Sequence, residues 1–280
     1  MVLRSPDSKS ESVLPPPPPI QVAGRPRENH PPNNAEMPLA DHIEELRQRI
    51  LKGLLSLIIG AGLSFLFVKP IVNLLESPAG SIRFLQLAPG EFLFVSIKVA
   101  GYTGLTIALP YIFYQLLAFI LPGLTKEERK LIAPAVAGSA ALFFFGIFFA
   151  WWALIPAALR FLISYGADVV EPIWSIEKYL DFVLLLMFAT GLAFQLPVLQ
   201  MLLGVLGLVK WKEMLSSWRW VVLISALASA ILTPSTDPVT MLLLSGAITG
   251  LFFIGVGLVA ISSEFKARIP SSDHLPSKEN

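Results

Sequence analysis

The residues best placed to do chemistry stand together at His42-Ile43-Glu44-Glu45-Leu46-Arg47-Gln48-Arg49, just before the first long apolar run. A second charged group, Lys126-Glu127-Glu128-Arg129-Lys130, follows the second apolar segment. If the two groups are neighbours, carboxylates from both converge on one membrane surface. A carboxylate at such an interface, where the dielectric is partly reduced, can bind a planar guanidinium through two parallel hydrogen bonds. The implied ligand is cationic, arginine-bearing and close to the membrane. A charged helix end that merely anchors orientation is the alternative, and spacing by itself does not exclude it.

The element that must position the first group is a helix. Leu39, Ile43, Leu46 and Ile50 recur at helical spacing and make one apolar face. Asp41 with Glu44 has the form of a capping box, with Asp in place of Ser or Thr. The helix therefore starts in water near Asp41 and continues into the first span.

Composition sets the class. The 280 residues are 54% hydrophobic and 15% charged, with mean hydropathy +0.67, whereas a soluble domain carries about 25% charged residues. The charges sit in short clusters between apolar runs long enough to cross roughly 30 Å of hydrocarbon. A net charge of +1, without a basic stripe, gives no sign of a nucleic-acid partner. Cysteine is absent, which removes disulfides, thiolate metal sites and thiol catalysis, and three scattered histidines offer no metal set. No metal or cofactor is expected. The chain reads as an all-α polytopic membrane protein.

Residues 1–36 are polar and proline-rich, with five consecutive prolines from Pro15 to Pro19, and read as a disordered tail. They lack the basic start and apolar core of a secretory signal, and their acids argue against a transit peptide. The membrane domain spans 37–262 and a flexible tail 263–280. Within the domain, spans are expected near 50–68, 92–121, 131–159, 179–209, 219–233 and 239–261. Several are long enough to require tilt, with kinks near Pro110, Pro134, Pro156 and Pro197. The fold expected is six tilted transmembrane helices, the last two short, joined by a tight loop around Asp237. Lys98 lies near the outer end of the second span and is expected to snorkel to the interface.

Lysine and arginine crowd alternate loops: Arg47, Arg49 and Lys52, then Lys126, Arg129 and Lys130, then Lys210, Lys212 and Arg219, then Lys266 and Arg268. The positive-inside rule therefore places both termini in the cytoplasm or its equivalent. Trp151, Trp152 and Trp174 fall at the outer interface and Trp211, Trp218 and Trp220 at the inner one.

No catalytic constellation is present: there is no Ser-His pair inside a span, no HExxH and no phosphate-binding loop. Deep polar positions are limited to Gln115, Gln195, Gln200 and hydroxyls, whose ordinary role is interhelical hydrogen bonding. Ion-coupled solute transport usually needs buried acids or histidines and repeated halves with broken helices, and none is evident.

Four motifs are recognisable together. HIEELRQRI before the first span, FxxPGLTKEERK from Phe119, FQLPV from Phe194 and LTPSTD before the last span resemble the TatC family. That family is the multispanning receptor subunit of the twin-arginine protein translocase. Each motif is weak alone, but four in register over about residues 37–262 are highly specific. The leading tail is most similar to cyanobacterial or plastid-type members.

The resemblance implies a receptor without enzymatic activity that binds the twin-arginine signal peptides of folded precursors. Glu45 and Glu128 match the two glutamates that read the arginine pair, and Arg47 matches the arginine of the first motif. Phe119, Pro122 and Leu124 match the loop that shapes the site. Pro78 and Asp237 match a proline and an acid of outer loops, where each could equally be a turn former or cap. Glu44 and Glu127 are given less weight, and Arg49 is assigned to anchoring. Implied partners are single-span proteins of the TatA and TatB kind, further copies of the chain and the bilayer itself. The implied location is the bacterial inner membrane, with the thylakoid as alternative, and the implied energy source is the proton-motive force. One departure matters: Gln195 stands where many members have glutamate, so it can meet a polar residue of a partner helix but cannot hold an ion pair.

Overall fold

A computed structural model describes residues 39–80, 82–120, 132–165, 173–233 and 237–268. The first span is α1 (Leu39–Leu66), followed after one residue by the short α2 (Val68–Glu76). Val68, Val72 and Leu75 recur at helical spacing on α2 and bury one face against the bundle. A 3-10 turn, Ser77–Ala79, contains the half-buried Pro78 and leads to the two-residue strand β1 (Phe84–Leu85). Then comes the second span, α3 (Glu91–Ile120).

The third span is α4 (Ile132–Phe149), a π-helical turn at Ala150–Leu154, and α5 (Ile155–Ser164). Strand β2 (Trp174–Ser175) pairs in parallel with β1 and closes that end of the bundle. The fourth span is broken into α6 (Ile176–Ala193) and α7 (Leu196–Val205). Pro197 causes the break, since it has no N–H to donate and its ring collides with the carbonyl four residues back. A short α8 (Trp211–Ser216) leads to α9 (Trp218–Leu232) and α10 (Pro238–Arg268).

Five of these segments are long and apolar enough to cross a membrane, and α9 is a shorter apolar helix. Only one of the last two helices is short. At 15 residues α9 reaches about 22 Å, whereas α10 has 31 residues and reaches about 46 Å. Its final turns carry Glu264, Lys266 and Arg268, which end the apolar run without ending the helix; helical structure thus continues past the expected domain boundary at 262.

Helix α1 packs mainly against α3, and small residues allow the approach. A Cβ built on Gly60 would lie 2.7 Å from the Gly104 carbonyl oxygen, and one on Gly104 would overlap the Ala61 backbone. With no hydrophobic drive between helices in lipid, such close backbone contact is a principal source of cohesion. The main core lies deeper, where Val95, Val99, Leu154, Leu180, Val183 and Leu244 are buried together.

Candidate functional site

The N-terminal end of α1 lies beside the C-terminal end of α3. Two contacts between distant parts of the chain join them. The His42 ring stacks on Phe119 with centroids 4.3 Å apart and planes 16° from parallel. Arg49 Nη1 donates to Gln115 Oε1 at 3.2 Å. Phe119 and Gln115 are one helical turn apart on α3, so a single face of each helix makes both contacts.

Glu45 stands between them. Its Oε1 accepts from Arg49 Nε at 3.0 Å and from Arg49 Nη2 at 2.5 Å. Its Oε2 is buried and has no hydrogen-bond partner among the described residues; His42 Nδ1 lies 4.0 Å from it. The carboxylate is thus half used. Below it, Leu46, Ile50, Leu54, Ile112 and Leu116 line an apolar groove of about 320 Å³ that runs along the α1–α3 seam.

Arg47 sits elsewhere. It faces outward and pairs with Glu44 at 3.1 Å, both side chains being more than half exposed. Arg49, assigned to anchoring on sequence grounds, is the arginine held against Glu45. The signal was available: Glu45 and Arg49 have the i, i+4 spacing that favours pairing on a helix. Glu128, Pro122 and Leu124 lie outside the described residues, as does Glu127.

Gln195 is buried between α6 and α7 and makes its hydrogen bonds within the chain. Ser139 Oγ of α4 donates to its Oε1 at 2.7 Å, and its Nε2 donates to the Ser139 carbonyl at 3.0 Å. Within this chain, both hydrogen-bonding functions of the carboxamide are thus engaged by Ser139. Asp237 is fully buried and caps α10: Val239 N–H and Thr240 N–H donate to its two oxygens at 3.0 and 3.1 Å, and the Thr240 hydroxyl donates to it as well.

At the opposite end of α3, Lys98 does not simply snorkel. Its ammonium donates to Glu177 at 2.8 Å and to both oxygens of Asp181 at 2.9 and 3.0 Å, tying α3 to α6. Sequence reading missed this because the partners lie about 80 positions away. Nearby, Glu91 is buried and accepts from the Leu87 and Ala88 N–H groups and from the Ser175 hydroxyl. At the end of α2, partial burial holds the Glu76 carboxyl above its ordinary range.

The family model described as Sec-independent protein translocase protein (TatC) matches residues 41–246. The chain belongs to the TatC family. It is 56% identical over 230 residues to the Sec-independent protein translocase protein TatC of Synechocystis, covering 82% of this chain and 91% of that one. It is 50% identical over 236 residues to the chloroplastic TATC of Pisum sativum, covering 82% and 66%. A crystal structure of the twin-arginine translocase receptor TatC superposes with TM-score 0.71 at 30% identity, over 79% of this chain and 99% of that one. As a TatC the chain is a multi-pass membrane protein and a protein-translocase component rather than an enzyme, and the all-α fold expected from its hydropathy is the one found.

Proposed function

We propose that the chain is the receptor through which a twin-arginine translocase binds the signal peptides of folded precursors. The observation that carries this is the buried Oε2 of Glu45, unpartnered among the described residues, on a carboxylate whose bonded neighbour Arg49 lines an apolar groove. One guanidinium of the arginine pair docks on Glu45, and Glu128 takes the other from the loop that follows α3. Apolar side chains beyond the pair enter the groove along α1 and α3. Phe119, which already holds His42, leads into the Pro122 and Leu124 loop and shapes the edge of the site.

Single-span partners of the TatA and TatB kind pack along the fourth, fifth and sixth spans. A crevice of about 690 Å³ between α7, α9 and α10 supports this, lined by Leu196, Gln200, Met214, Val221, Ser225 and Phe252. It is apolar except for a few groups, among them the buried Gln200 Oε1, which has no partner among the described residues. The short α9 thins the bilayer locally and lowers the barrier to passage. Both termini face the cytoplasm, several copies assemble in the complex, and transport draws on the proton-motive force. The membrane is the bacterial plasma membrane or the thylakoid.

Photo-crosslinking of a twin-arginine precursor to the full-length protein tests the site. Glu45→Gln combined with Glu128→Gln is expected to abolish the crosslink. An undiminished crosslink in the double variant overturns the assignment.

A further inference from the structure

Resting on that receptor reading, we infer that Arg49 is a tethered competitor: its guanidinium occupies Glu45 until an incoming guanidinium displaces it, which sets an affinity threshold for cationic signal peptides. Three observations carry this. Arg49 presents two nitrogens to one oxygen of Glu45, leaving the other oxygen unpaired among the described residues, so the pair is not the side-by-side fork that an arginine and a carboxylate form when both are free to align. A ligand guanidinium can take both oxygens only if Arg49 yields.

Arg49 has somewhere to go. Its Nη1 already donates to Gln115 Oε1 at 3.2 Å, so when Nε and Nη2 release Glu45 the guanidinium still keeps one hydrogen bond on α3. The competition is also local: Arg47 is engaged by Glu44 on the exposed side of α1 and does not reach Glu45. While Arg49 is seated, it also neutralises the carboxylate that would attract a cation. Both partners are about three-quarters covered, so the contest is less screened than at an open surface.

The thermodynamic consequence is specific. Apparent affinity equals intrinsic affinity multiplied by the fraction of sites with Glu45 free, so self-occupancy weakens every ligand by one common factor. An arginine recovers that loss because its guanidinium forks onto both oxygens of Glu45. A lysine pair, a set of point charges without the planar fork, recovers less of it. Arg49 therefore does not alter the ratio of affinities. It places the weaker ligands below the range that binds at working concentration.

The test measures fluorescence anisotropy of labelled synthetic signal peptides on the full-length protein in lipid nanodiscs. Arg49→Met keeps the stem that lines the groove and removes the guanidinium. It is expected to tighten binding of the Arg-Arg peptide by roughly two- to tenfold, the worth of a partly covered ion pair. The Lys-Lys peptide should tighten by the same factor. Arg49→Lys, which cannot reach Glu45 and Gln115 together, should give a smaller gain in the same direction and guards against a folding defect peculiar to methionine. Unchanged or weaker binding in both variants, with Glu45→Gln still abolishing it, overturns the competitor and makes Arg49 a positioning residue. Wild-type affinity in Glu45→Gln instead overturns the receptor reading beneath it.

Discussion

Gln195 and Ser139 exchange two hydrogen bonds across the junction between α4 and the break of the fourth span. The carboxamide uses its donor and its acceptor on one residue, and the site is nearly closed to solvent and lipid. Replacing Gln195 by Leu leaves the Ser139 hydroxyl without its acceptor at the point where the helix is already broken. Interhelical bonds in a bilayer average about 0.6 kcal/mol and reach about 1.7. Gln195→Leu should therefore cost about 1–2 kcal/mol, seen as a thermal midpoint lowered by several degrees in detergent. Ser139→Ala should cost less, and the two together less than their sum, because the second change removes a partner already lost.

The α1–α3 seam permits no added methyl at its crossing. A Cβ on Gly104 meets the Ala61 backbone, which has no soft end to move. Gly104→Ala should push α1 away from α3 and separate Arg49 from Gln115. The expected cost is about 1–3 kcal/mol, as for other overpacked sites, together with loss of signal-peptide crosslinking. Gly62→Ala, where nothing lies within 4 Å, is the neutral control. Equal behaviour of the two variants in thermal unfolding contradicts the account.

Lys98 holds two acids that would otherwise face each other. Lys98→Met should leave Glu177 and Asp181 uncompensated and loosen α3 from α6. The three side chains are between 33% and 40% exposed, so screening keeps the effect modest, about 1 kcal/mol. Adding Glu177→Gln and Asp181→Asn should restore the midpoint. A triple variant no better than Lys98→Met would show that the lysine acts through packing of its stem.

Asp237 separates a structural role from a transport role. Asp237→Ala removes the acceptor for two backbone N–H groups at the start of α10 and should cost about 1–2 kcal/mol, while Asp237→Asn retains a capping oxygen and should lose little. Signal-peptide crosslinking at Glu45 should persist in both folded variants, since α10 packs against α7, α8, α9, α5 and the π-helical turn rather than against the α1–α3 seam. If Asp237→Asn keeps its thermal midpoint and loses transport, the carboxylate has a further task beyond capping.

The membrane class, the span positions and the helical start before the first span were legible in the sequence. A run of about 20 apolar residues has one low-cost setting, a helix across the hydrocarbon, because every backbone group must then be bonded internally. The break near Pro197 was legible for the same kind of local reason, a missing donor. The length of α10 was not: its last turns are charged, and hydropathy reads the end of the apolar run as the end of the helix.

Side-chain partnership was only half written in the chain. Local spacing allows Glu44 to pair with Arg47 and Glu45 with Arg49, and both pairs form. Nothing in that spacing says which pair is sheltered. Tertiary structure decides it by laying α3 against one side of α1, so that Gln115 bonds Arg49 and Phe119 stacks on His42 while Glu44 and Arg47 stay outside. In the same way the motif around Gln195 was visible, yet its partner Ser139 was not, because hydropathy and spacing report what a residue is and which face it shares, while a contact 56 positions away depends on how whole helices pack.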